Sequence, residues 1–304
     1  MGDQGPITVL WRPSATSGTR SDGFLSEMEK FSEFDILRIG NKERELELLE
    51  SRIAQPGVIV AAGGDGSVHR LANIFMQLQQ AGHPVKASLG VFPLGTGNDF
   101  ARSVGMPFEG PAAIQSLING QDRPVDLLEF RSSEHSGWCV NMITGGNTGN
   151  YLDSLTDEVK ERWGAFCYLR GIVDVMNHLE TFDLEVSFDE GPVETFSALN
   201  VFIANGKTSG GGMIVSPDAE INDGLMDVII VQDGTPGEIA GLTAKFFLSD
   251  YQSHELISYR RAKKLRLVSG STLPLTSDGE LVGAAPIDVT VRPAAISVRF
   301  PASS

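Results

Sequence analysis

The sequence predicts an α/β N-terminal domain with a parallel sheet, then a mainly antiparallel β domain, with a cleft between them. Three observations carry this. Up to about residue 120, short apolar runs of strand length alternate with helical patterns. From Val125 onward, strand-like runs follow one another at short spacing, interrupted by a single long helical stretch. Two glycine-rich turns, GGDGSVHR at Gly63–Arg70 and PLGTGNDFAR at Pro93–Arg102, each stand where an apolar strand gives way to a helix.

In chain order, Pro6–Trp11 is a strand and Arg12–Asp22 a polar turn. Phe24–Phe31 reads as a helix, Phe34–Ile39 as a second strand, and Asn41–Ile53 as a charged helix with Leu46, Leu49 and Ile53 inward. Gly57–Ala62 is a buried strand. The helix after it places Val68, Leu71, Ala72, Phe75 and Leu78 on one apolar face. Ala87–Phe92 is the next strand, and the helix Pro111–Ile118 stops at Gly120. The second domain begins with strands at Val125–Phe130 and Trp138–Ile143. A long helix over Leu152–His178 separates these from strands at Phe182–Phe188, Thr195–Ala204 and Leu225–Val231.

The glycine turns carry the chemistry. Gly63 and Gly64 free the backbone and remove side chains where a ligand would approach. Backbone N–H groups and the positive dipole end of the following helix favour phosphate there. Asp65 would repel a phosphate unless a divalent cation lay between them, and Mg²⁺ binds through one or two carboxylates plus phosphates. The other reading is a tight turn in which Asp65 caps the helix. The second turn favours the ligand site, because ligands bind outside the carboxyl ends of strands in open α/β sheets. It would bring Thr96, Asn98 and Asp99 to the same rim as Asp65.

Together, GGDGS and PLGTGNDFAR resemble the diacylglycerol kinase catalytic-domain family, in particular the bacterial YegS-like and diacylglycerol kinase lipid kinases. The first motif is shared with NAD kinases and phosphofructokinases; the second points to the lipid branch. The resemblance covers nearly the whole chain, with INDGLMD at Ile221–Asp227 and SDGE at Ser277–Glu280 following in order. It implies an antiparallel β-sandwich as the second domain and a final strand, Ile296–Phe300, that returns to the first. Domain one then comprises 1–124 and 293–304, and domain two 125–292.

The resemblance also implies an ATP- and Mg²⁺-dependent kinase acting on a hydroxyl of a diacylglycerol-like or related lipid. Its nucleotide site would comprise Arg38, Gly63, Gly64, Asp65, Gly66, Ser67, Val68, His69, Arg70, Gly95, Thr96 and Asn98. Asp65 and Asp99 would organise catalytic Mg²⁺ through water, and Asp278 or Glu280 would take the acceptor proton. A structural Mg²⁺ would be held by the carbonyls of Glu220 and Leu225 and the carboxylate of Asp223, although Asn-Asp-Gly is equally suited to a plain hairpin turn. The sequence departs from the family at Arg12 (commonly Asn), Arg70 (commonly Glu) and Ser277 (commonly Leu).

Other features bound the function. The net charge of −15 excludes nucleic acid as a partner and strong charge-driven docking on anionic membranes. A lipid kinase would therefore meet its substrate through local patches, in transient contact with a membrane surface. No apolar run approaches the roughly 18 residues of a membrane span, and the N-terminus lacks a signal-peptide pattern, so the cytoplasm is expected. Cys139 and Cys167 read as reduced core residues. NGKT at Asn205–Thr208 is not a P-loop, because Val201 stands where that pattern needs glycine. The basic run Tyr259–Leu267 is either a solvated strand face or a lipid head-group contact, and Arg162, Trp163, Phe166, Tyr168 and Arg170 are either core or membrane-interface residues. The five histidines show no pairing suggestive of a metal or a triad. Two rival functions remain at this level: a soluble NAD kinase-like metabolite kinase, and a catalytically idle nucleotide or lipid sensor.

Overall fold

The computed structural model describes residues 5–11, 19–38, 42–147, 179–247 and 251–302. The expected helix over 152–178, with its aromatic–basic cluster and Cys167, lies outside these residues, as does Arg12.

Strands β1 (Ile7–Trp11), β2 (Phe34–Arg38), β3 (Gly57–Gly63) and β4 (Ala87–Pro93) pair in parallel, in the spatial order β2–β1–β3–β4. Parallel neighbours need crossovers, supplied here by α1 (Thr19–Met28), α2 (Lys42–Ile53) and α3 (Asp65–Gln80). Val58 to Ala62 are all buried, which is why β3 reads as a continuous apolar run rather than an alternation. Val68, Leu71, Ala72, Phe75 and Leu78 are buried on one face of α3, as their spacing requires. Two shorter helices follow, α4 (Asp99–Ser103) and α5 (Gly110–Asn119).

The C-terminal half is an antiparallel β-sandwich. Its strands are β5 (Gln121–Ser132), β6 (Ser136–Cys139), β7 (Met142–Gly146), β8 (Phe182–Phe188), β9 (Val193–Ala204) and the short pair β10 (Thr208–Ser209) and β11 (Met213–Ile214). They continue with β12 (Met226–Gln232), β13 (Ile257–Ala262), β14 (Lys264–Ser269), β15 (Pro274–Ser277), β16 (Glu280–Ala284) and β17 (Ile287–Phe300). A helix without a counterpart in the sequence reading, α6 (Pro236–Phe247), joins β12 to β13. One core cluster surrounds the parallel sheet and includes Val60, Phe75, Leu89 and Phe100; another fills the sandwich with Ile143, Leu184, Val201 and Leu267.

The last strand ties the halves together. β17 pairs in parallel with β4 at Val298–Leu89, and antiparallel with β5 and β14. It begins nine residues earlier than the expected Ile296, because a register shift between Arg292 and Ile296 interrupts the apolar pattern. Buried Asp126 fixes that bulge, accepting the Ala294 N–H at 2.7 Å with one oxygen and the Gly224 N–H at 2.6 Å with the other.

The basic run lies on β13 and β14 as a strand face already paired with acids. Arg260 meets Glu194, Arg261 meets Asp223 and Asp227, Lys264 meets Glu190, and Arg266 meets Asp288. Cys139 is a buried free thiol. Among the described residues, no helix is long and apolar enough to cross a membrane.

Candidate active site

The two glycine turns touch each other at the carboxyl ends of β3 and β4. A Cβ on Gly95 would lie 2.3 Å from Gly64 Cα, so only glycine permits this approach. Asn98 adopts a left-handed conformation (φ 54°, ψ 40°), one that asparagine tolerates well. Its side chain closes a ring on Gly95, accepting the Gly95 N–H at 3.0 Å and donating to the Gly95 carbonyl at 2.6 Å. That ring aims the start of α4 at α3. Asp65, the first residue of α3, then accepts the Phe100 N–H at 3.0 Å through Oδ1. Thr96 is exposed at the tip of the second turn. Gly95→Ala is expected to cost about 1–3 kcal/mol by forcing the turns apart. Chemical denaturation monitored by circular dichroism reads that loss.

The carboxylates expected to act together separate into two kinds. Asp65 keeps Oδ2 beside Gly97, where a Cβ would come within 2.7 Å. Burial raises its carboxyl above the ordinary value, the Phe100 and Asp99 N–H groups oppose this, and the charges of Asp99 and Asp278 add to it. Such a site gains from a neighbouring cation. Asp99 is of the second kind, already engaged by backbone donors. Its Oδ2 and Oδ1 accept the N–H groups of Gly211 and Gly212 at 2.9 and 2.7 Å, so its carboxylate clasps the β10–β11 turn to α4.

Asp278 is engaged in the same way. Its side chain has no exposed surface. Oδ1 accepts N–H groups from Asn141 and Met142 and the Cys139 thiol, and Oδ2 accepts the Val140 N–H at 2.9 Å. These bonds explain why the expected strand Trp138–Ile143 is broken into β6 and β7: its central N–H groups turn towards Asp278 instead of a neighbouring strand. His69 Nδ1 lies 2.7 Å from Asp278 Oδ2. Burial would raise the Asp278 carboxyl, but the His69 bond and charge and the Val140 and Met142 N–H groups outweigh it and hold the group low. Burial, then the Asp278 charge, push the Cys139 thiol well up. The His69–Asp278 pairing was not visible in the sequence. The partners lie 209 positions apart, beyond any local signal.

Two residues on, Glu280 is exposed. A Cβ on Gly66 would meet its Oε1 at 3.4 Å, so this carboxylate hangs over the first turn of α3. It lines a cavity of about 800 Å³ together with Gly64, Gly66, Ser67, His69 and Arg70. Trp11, Asn73, Gln77 and His135 complete the polar and aromatic wall, and none of them stands in a recognisable motif. Arg38 stands outside that wall, pairing with Glu29 at 3.3 Å and lying 5.7 Å above the Trp11 ring.

At the turn expected to hold a structural Mg²⁺, the acid is already engaged. Asp223 Oδ1 accepts the Leu225 N–H at 3.0 Å and Oδ2 is held by the Arg261 guanidinium, so a cation would have to displace another cation. Glu220 is exposed beside it. Among the described residues, no group of three or more His, Cys, Asp or Glu side chains could hold a metal.

Residues 6–130 match the diacylglycerol kinase catalytic domain family, and residues 146–300 match the YegS C-terminal NAD kinase beta sandwich-like domain family. A protein of Pseudomonas putida described as a probable lipid kinase, YegS-like, is 33% identical over 81% of this chain and 78% of its own. The chain belongs to the YegS-like lipid kinase family. A second YegS-like relative, from Xanthomonas euvesicatoria pv. vesicatoria, is 35% identical over 73% of this chain and 72% of its own. Among solved structures, a proposed diacylglycerol kinase of Bacillus anthracis str. Sterne superposes with a TM-score of 0.79 at 21% identity, covering 98% of this chain and 95% of the other. A yeast NADH kinase bound to NADH superposes with a TM-score of 0.54 at 15% identity, covering 98% of this chain and 84% of the other. Both agree with an α/β domain joined to a NAD kinase-like β-sandwich. Within the YegS-like family, the chain is a lipid kinase whose paired glycine turns meet the sandwich at Glu280.

Proposed function

We propose that this lipid kinase uses ATP and Mg²⁺ to phosphorylate a hydroxyl of a diacylglycerol-like lipid. The observation that carries the reading is the Glu280 carboxylate poised over the N-terminus of α3, across a cavity large enough for a nucleotide or a lipid head group. The Gly66 N–H in the first turn of α3 would hold a phosphate oxygen with the helix dipole behind it, the Ser67 N–H being bonded to the Gly64 carbonyl. Asp65 Oδ2 would hold the Mg²⁺, which when bound neutralises charge on the phosphates.

Glu280 accepts the proton of the acceptor hydroxyl as its oxygen bonds to the γ-phosphorus. The bond from that phosphorus to the bridging oxygen breaks, and ADP departs. Asp278 and Asp99, with their oxygens engaged by backbone N–H groups, fix the turns that carry Glu280 and the α4 start. Leu281, 69% exposed beside Glu280 at the cavity wall, offers an apolar contact for an acyl chain or a membrane surface, met transiently from the cytoplasm.

The test is ADP release against dispersed diacylglycerol, monoacylglycerol, phosphatidylglycerol, sphingosine and ceramide, with NAD as the soluble control. Turnover with one lipid, abolished by Asp65→Ala and by chelation of Mg²⁺, is the expected result. Turnover with NAD alone moves the protein to a soluble-metabolite kinase. Nucleotide binding with no turnover on any acceptor supports a sensor instead.

A further inference from the structure

His69 is built differently from the other polar residues on the cavity wall. Its Nδ1 is held at 2.7 Å by a carboxylate with no exposed surface, so the ring cannot turn without abandoning a buried charge. Asn73 packs against the other edge, 3.4 Å from Nε2, but its amide is already spent. Its two hydrogens go to the carbonyls of His69 and Trp138, at 2.8 and 2.7 Å, and its oxygen accepts the Trp138 N–H at 3.0 Å. Among the described residues, Nε2 has no further hydrogen-bond partner, and His69 lines the cavity between Ser67 and Glu280.

The charged and titratable groups around the ring come from four segments. The β15–β16 turn supplies Asp278 and Glu280, both favouring a cation. β6 supplies the Cys139 thiol, which stays neutral. α3 itself carries Asp65 and Arg70, and His135, in the β5–β6 turn, lines the same cavity. Burial alone would lower the histidine, yet the Asp278 bond and charge, with the Glu280 charge, raise it above its ordinary value.

We propose that His69 works as an imidazolium whose Nε2–H donates to an oxygen of the transferred phosphoryl group, and that losing this proton sets the alkaline limit of activity. The proposal deepens the kinase reading above and rests on it. The imidazolium keeps its proton throughout; the proton of the acceptor hydroxyl still goes to Glu280. Its work is to meet the charge spread over the phosphoryl oxygens in the transition state, as fixed donors do elsewhere.

The test has two arms. In the first, the His69 ring is titrated by NMR in the wild-type protein, with and without a non-hydrolysable ATP analogue. The proposal requires a value above 6.5 in the free protein and a further rise when the analogue binds. A value at or below 6.5, or no response to the analogue, overturns it whether or not any lipid is phosphorylated. In the second arm, kcat is followed against pH for the wild type and His69→Asn. The asparagine variant is expected to lose about 10²-fold in kcat and its alkaline limb. A merely structural histidine would lower stability while leaving that limb in place, and this result overturns the proposal.

Discussion

Glu280→Gln is expected to lower kcat by about 10²- to 10⁴-fold while leaving the fold and nucleotide affinity nearly unchanged. The amide has the shape of the carboxylate but cannot take a proton from the acceptor hydroxyl. Because Glu280 is exposed, replacing it leaves no buried group unpaired, so the unfolding midpoint should hold. Steady-state ADP release with the preferred lipid measures the first effect, and calorimetric titration with ATP the second. A secondary effect follows from the geometry. Glu280 helps to raise His69, so its neutralisation should move the alkaline limb of residual activity towards lower pH. Retention of full kcat in this variant would remove Glu280 as the base.

Asp278→Ala should behave in the opposite manner, losing stability before chemistry is considered. One carboxylate there accepts three backbone N–H groups and a thiol and holds a part-buried imidazole. Removing it leaves those donors without a partner, at a cost of roughly 3–5 kcal/mol. Urea unfolding should show a lower midpoint, and the buried backbone at Val140–Met142 should become open to amide exchange. The pH dependence of the wild type carries the same signature. The folded value of Asp278 is depressed, so its contribution is present above 3.8 and is lost as pH falls through that depressed value. His69 is raised, so its contribution is complete below 6.5 and is lost as pH rises through its raised value. Asp278→Ala should flatten both slopes.

Much of the fold was legible in the sequence because it is local. The continuous apolar runs of β3 and β4 report strands covered on both faces, and the spacing from Val68 to Leu78 reports one buried helix face. The glycines at 64 and 95, whose missing Cβ lets the chain approach closely, and the asparagine at 98, which tolerates the left-handed conformation, are turn signals, so the glycine turns were visible before any contact was known.

The carboxylates were not legible in that way. Asp65, Asp99, Asp278 and Glu280 all sit beside glycine turns and read alike as acids. Whether a carboxylate can hold a cation or accept a proton depends on which of its lone pairs are already filled. The groups that fill them are backbone N–H groups from segments far along the chain, at 211–212 for Asp99 and 140–142 for Asp278. The same is true of Asp223, whose oxygen is occupied by Arg261, and of the strand break after Cys139, which exists because Asp278 arrives from the far end of the sequence. Sequence periodicity and turn chemistry determined where the site would be. Only the tertiary structure decided which of its acids remain open, because hydrogen-bond saturation is a property of neighbours in space.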